Sequence, residues 1–228
     1  MASQITKDTD IVLSGFRNVD GRGHVNYVKV FKNEKEAFFQ SIPLFAKLYR
    51  KSFLEKYSIK SPQGVILEDV LYQALLQGAD PICKCSTVQG YCWVQNLSSA
   101  SHAKLKFFSD DPFVKAQEYF IEYEKKNEKI KNRSSYVYGI FLYVCWHLLK
   151  LGVNSKAREI RQEADKMLNF MERYEEFRRG IFWQSGSKFI VYFVLRFIYI
   201  LYRLKLLNVF LSIYAIGGKL FKKMWPQL

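Results

Sequence analysis

The stretch SPQGVILEDVLYQALLQG, residues 61 to 78, puts two neighbouring carboxylates, Glu68 and Asp69, where a loop containing Pro62 and Gly64 turns into an apolar helix. A carboxylate is ionised at pH 7 and can take a proton from a hydroxyl held within about 3 Å, which is general-base chemistry. It is also favoured at a helix start for a plainer reason: it accepts hydrogen bonds from unpaired N–H groups and meets the positive end of the helix dipole. The two roles are compatible, because a helix start holds a base rigidly. Cysteines at 83, 85, 92 and 145 are the other reactive groups. "CKC" fits an alternating strand and no second Cys or His pair completes a zinc set, so reduced thiols and no bound metal are expected. His147 falls on an apolar face with no partner nearby in sequence, which reads as a packing residue.

The elements that must position these residues follow from periodicity. "DIVLSGF" (10 to 16) reads as a short buried strand, and "VDGRGH" supplies Asp-Gly turn chemistry before a second run, "VNYVKVF", so a β-hairpin is expected. "NEKEAFFQSI" opens with Asn33 as a cap and places Ala37, Phe38 and Ile42 on one helical face. A short apolar piece then leads to a helix near Arg50. In the Glu68-Asp69 helix, Val70, Leu71, Ala74 and Leu75 form one apolar stripe ended by Gly78. Two β-like runs, "ICKCSTV" and "YCWVQN", flank Gln89-Gly90. From about 113 helices dominate: a charged one, then an apolar one capped by Ser134 or Ser135 and ended by Gly152. A third, of mixed charge with a solvated face, stops at Gly180.

A chain of 228 residues, 49% hydrophobic and 25% charged, suffices for one sizeable core and excludes disorder. The net charge of +14 calls for an anionic partner. No recognition helix, RNA-binding aromatic motif or zinc module accompanies it, so nucleic acid is not expected. The polar start "MASQITKDTD" has no apolar signal segment, which points to an intracellular protein. The C-terminal segment from Ser187 is dense in aromatic residues interleaved with Lys and Arg. Phe189 to Tyr202 rises only about 21 Å against a hydrocarbon core of about 30 Å, so it cannot span alone. Lys188, Tyr192, Arg196, Tyr199 and Arg203 recur at three- and four-residue steps as one polar-tipped face. A second helix is expected to end at Gly217-Gly218, with Lys219, Lys222, Lys223 and Trp225 as an anchor. Together these predict a peripheral protein of the cytoplasmic membrane face.

The succession "LFAKLYRKSFLEKYSIKSPQGVILEDVLYQALL", followed by "YCWVQNLSSASH", resembles bacterial family 2 glycosyltransferases of the GT-A fold, which build cell-surface glycans. Lys47, Leu48, Tyr49 and Arg50 match the family's "K-L-Y-R" segment and Glu68 and Asp69 its "E-D". Tyr91, Trp93, Gln95, Asn96, Ser99 and Ser101 match the segment that closes the active site, with Trp93 and Ala100 as mild departures. The resemblance covers about residues 10 to 105. It implies an α/β fold, α+β as it stands: the acceptor-side, C-terminal part of a GT-A-like fold over 1-110, a helical region over 111-187, and amphipathic membrane-associated helices over 188-228.

The resemblance also implies an enzyme of hexosyltransferase type, moving a sugar from a nucleotide sugar to a glycan or lipid-linked acceptor with inversion. Asp69 is the implied base and Glu68 its neighbour. Lys47, Tyr49, Arg50 and Trp93 line the substrate site, with Gln95, Ser99, Ser101 and His102 as donors to the diphosphate. The family's nucleotide-binding half, with its Asp-x-Asp motif and divalent Mn or Mg, has no counterpart here. "DTD" at 8 to 10 follows polar residues instead of a buried strand and reads as a cap before Ile11. The expectation is therefore a truncated or split enzyme whose donor half, with the metal, comes from a separate chain. The alternative is a non-catalytic, membrane-associated partner subunit.

Overall fold

The computed structural model describes residues 2–94, 112–153, 155–180 and 183–224, with side chains for 3–94, 113–153, 155–180 and 183–217. The fold is mixed α/β. The central strand β1 (Ile11–Val19) pairs along one edge with β3 (Lys47–Tyr49) at its start and β2 (Val25–Lys29) at its end, both antiparallel, and along the other edge with β4 (Cys83–Val94), parallel. The expected hairpin forms, and Asp20 closes its turn by accepting from the Arg22 and His24 N–H groups at 2.8 and 2.9 Å. The segments around Gln89-Gly90 are not two strands. They form one strand with a bulge, since Ser14 pairs with Ser86 while Phe16 pairs with Tyr91, so one residue of β1 faces four of β4.

Helix α1 (Glu34–Gln40) starts as its sequence indicates, with Asn33 Oδ1 accepting from Glu36 N at 2.9 Å. The short α2 (Lys51–Lys56) follows β3, and α3 (Glu68–Ala79) returns the chain to β4. In α3 the stripe of Val70, Leu71, Ala74 and Leu75 is buried, and so is every other residue from Val70 to Ala79. One expectation for this helix needs correcting. Its stop is Asp80 in the left-handed conformation, whereas Gly78 is a packing glycine inside the last turn. The reason is α5 (Arg133–Gly152), buried along most of its length, which crosses α3 antiparallel: Gly78 meets the Tyr136 ring and Gly139 meets Ala74 and Gln77.

The remaining helices, α4 (Pro112–Lys126), α6 (Ala157–Met171), α7 (Glu175–Arg179), α8 (Phe189–Arg203) and α9 (Leu207–Met224), surround α5. Asn132, not Ser134 or Ser135, caps α5 by accepting from Ser135 N at 3.1 Å. The mixed-charge helix is broken at Glu172–Tyr174 into α6 and α7, and Gly180 does stop α7. Glu163 on α6 is buried beside His147 at 3.9 Å, so that helix's charges are not all solvated. Helix α9 runs through Gly217 and Gly218 instead of ending there. One hydrophobic core extends from Ile11 of β1 to Leu211 of α9.

Candidate functional site

The site grows from the junction of β3 and α3. In β3, Lys47 and Tyr49 pair with Leu13 and Ile11, whose side chains are buried in the core with α3. Alternation sends Lys47 and Tyr49 to that face and leaves Leu48 exposed on the other. They meet the first turns of α3. Leu67, the residue before α3, has φ of +59°, a conformation that costs a non-glycine residue about 1–2 kcal/mol, and its side chain caps nothing. Glu68 is exposed and Asp69 half-buried, and neither carboxylate makes a side-chain hydrogen bond or ion pair among the described residues. The capping role is thus reduced to the helix dipole, and both acceptors are open.

Electrostatics tie the cluster together. Burial pushes the Asp69 carboxyl above its usual range; Glu68 beside it pushes the same way, and Lys47 opposes both. Burial also brings the Lys47 ammonium down to about 7, against the favourable fields of Asp69 and Cys83. Its Nζ donates to Gln73 Oε1 at 3.4 Å, and Gln73 is itself held by Nε2 donating to Phe38 O at 2.7 Å. The Tyr49 hydroxyl, raised far above its ordinary value by burial and by Tyr72 and Asp69, is buried and makes no hydrogen bond among the described residues. Lys150, in the last turn of α5, feels Glu68. Tyr72, Gln73 and Lys150 escaped the sequence reading; the i+4 step from Asp69 to Gln73 was the one signal for any of them.

The other expected residues lie apart. Arg50, the residue after Tyr49, turns away from Asp69, donating to Thr9 O at 2.7 Å and Thr6 O at 2.8 Å beside an open cavity of about 420 Å³ lined by Lys7, Asp8, Asp10, Lys56, Asp80 and Lys131. It does not join Asp69. Trp93 sits half-exposed in an aromatic group with Phe16 and Phe45, on which Tyr91 stacks at 4.5 Å. Gln95, Ser99, Ser101 and His102 lie outside the described residues. Asp10 accepts from Ile82 N at 2.9 Å and so fixes the start of β4. Among the described residues no three His, Cys, Asp or Glu side chains converge as metal ligands. The divalent ion implied by the resemblance, expected on the separate donor half, finds no ligand set among the described residues. No family model and no characterised protein matches the chain. The geometry therefore carries the functional argument.

Two expected results test the cluster directly. Tyr49→Phe removes a buried hydroxyl that has no partner among the described residues, and an unsatisfied group of this kind costs about 1–3 kcal/mol. The variant should unfold at the same or a higher temperature than the parent while losing ligand affinity; a clear drop in melting temperature would show that the hydroxyl is structurally satisfied. Lys47 gives a pH signature. The unfolded lysine holds its proton up to about 10.5 and the folded one only to about 7, so the unfolded state binds more protons in between and stability should climb as pH rises from 7. Urea midpoints at pH 7 and about 8.5, below the range where the raised Cys83 thiol acts oppositely, should rise in the parent and flatten in Lys47→Met.

Proposed function

We propose that these residues form the acceptor side of an inverting, family 2-like glycosyltransferase, with Asp69 as general base. The observation that carries this is an Asp69 carboxylate held half-buried at a helix start, pushed above its usual range by burial and by Glu68, unengaged by any described side chain, and bordered by Lys47 and the Tyr49 hydroxyl. A carboxylate so placed is a stronger base than a solvated one and needs no partner removed before it accepts a hydroxyl. In the proposed step the acceptor hydroxyl passes its proton to Asp69 as its oxygen bonds the anomeric carbon. The bond from that carbon to the nucleoside diphosphate breaks, the diphosphate leaves with the electron pair, and configuration inverts. Tyr49 and Glu68 orient the acceptor, and Lys47 sets the charge of the base.

The nucleotide-binding half is supplied from outside these residues. The test is to combine the protein with a polypeptide carrying that half and with a panel of nucleotide sugars and candidate acceptors, and to follow nucleoside diphosphate release. Release that depends on both components and on Asp69 is expected. Assembly without release for any donor, indifferent to Asp69, would favour the non-catalytic partner reading.

A further inference from the structure

Helices α8 and α9 bury one apolar side and present a second apolar row outward. On α8 the buried side is Leu195, Ile198 and Tyr199, while Phe189, Phe193, Phe197, Ile200 and Leu204, spaced four, four, three and four residues apart, face outward. Phe193 is 50% exposed. The polar-tipped face foreseen from the sequence is in part the inner one: the Tyr199 ring packs on Phe177 at 5.3 Å and its hydroxyl donates to Arg178 O, while Arg203 Nη1 donates to the same carbonyl. Helix α9 does the same, burying Leu207, Leu211 and Tyr214 and presenting Val209, Ile213 and Ile216; Ile213 is 59% exposed. Phe197 and Phe210 meet edge to face at 5.5 Å, which joins the two outer rows into one apolar surface, and Trp183 packs on Phe189 at its end.

We infer that this surface docks on an anionic lipid bilayer, lying in the interface without crossing it. Charge selects the occupant. Past Glu176 the sequence contains no Asp or Glu, whereas Lys188, Arg203 and Lys205 are exposed in the same segment as the apolar rows and Arg196 is half-exposed there. A second copy would set this basic margin, on a chain of net charge +14, against itself. An anionic headgroup layer receives the cations while the Phe, Ile and Leu side chains enter the acyl boundary, the arrangement of interfacial helices. Length agrees. The 15 residues of α8 rise about 22 Å, short of a hydrocarbon core of about 30 Å. No helix among the described residues is long and apolar enough to cross a membrane.

The inference stands apart from the glycosyltransferase reading, and its test has no activity readout. The full chain is floated with vesicles of phosphatidylcholine alone and with phosphatidylglycerol added. Binding to the anionic vesicles, weakened by salt, is expected. The paired variant Phe193→Ser, Phe197→Ser, whose side chains are exposed, should lower partitioning at least about tenfold with an unchanged circular dichroism spectrum and melting temperature. Lys188→Ser with Lys205→Ser should weaken binding to the anionic vesicles alone. Absence of binding, binding indifferent to both variants, or a salt-resistant dimer in sedimentation equilibrium that the Phe variants dissolve would overturn the inference. So would membrane fractions from which neither alkaline carbonate nor high salt releases any protein.

Discussion

Asp69→Asn is expected to lower sugar transfer by the assembled enzyme by about 10² to 10⁴, the usual loss when a general base is removed. Asn preserves the size and hydrogen-bonding reach of Asp but cannot carry away the acceptor's proton. The same change should leave folding intact or slightly improved, because the wild-type carboxylate is raised by desolvation, an unfavourable term for the ionised group that the amide does not meet. Lys47 would lose an anionic neighbour and hold its proton less tightly still. Nucleoside diphosphate release at saturating substrate, read beside thermal unfolding, separates the outcomes. Retention of more than about a tenth of the activity would remove Asp69 from the base role. Loss of stability with turnover per folded molecule unchanged would return the residue to helix capping.

Gly139→Val should destabilise the fold by about 3 kcal/mol, the upper part of the range for forcing extra carbon into a packed core. A Cβ at this position would lie 2.3 Å from Gln77 Oε1 and 2.8 Å from both Cα and Cβ of Ala74. Gln77 can rotate away, but Ala74 presents backbone, so only separation of α3 from α5 relieves the clash. Intrinsic helix propensity is nearly indifferent to the exchange, since both residues are poor helix formers. For a chain of this size the melting temperature, followed by far-ultraviolet circular dichroism, should fall by about 6 to 12 °C. An unchanged melting temperature would mean that the two helices do not approach this closely. Because α5 also brings Lys150 toward Glu68, the substitution should disturb the candidate site from a distance.

Local signals were legible where a residue acts on its own neighbours. Asn33 and Asp20 do in the structure what their side chains do in any short peptide with those spacings: Asn33 accepts from the N–H three residues on, and Asp20 from those two and four residues on. The α3 start, with Glu68 and Asp69 in its first turn, was legible for the same reason. The grouping of Lys47 and Tyr49 with Asp69 came from the resemblance, and the structure brings these residues together while turning Arg50, next in the same motif, away from them toward Thr6 and Thr9. Adjacent residues of an extended segment point to opposite sides, and a four-letter motif does not show which side is the site.

What the sequence determined by itself was the material: a short hairpin, a carboxylate pair at a helix start, a run of helices beyond residue 112, and a basic, aromatic C-terminal segment without acids. What only tertiary structure decided was orientation. Gly78 looked like a stop until α5 packed Tyr136 against it, and the two β-like runs around Gln89-Gly90 became one bulged strand because β1 offered one continuous edge. The helix wheel of α8 shows an apolar side and a polar-tipped side but not which of them faces the protein. That was settled by Phe177 and the Arg178 carbonyl on α7, which bury Tyr199, anchor one nitrogen of the exposed Arg203 and leave Phe193 and Phe197 facing out. Periodicity depends on a residue's own helix, whereas burial depends on which partner surface arrives, and that surface is brought by residues far away in the chain.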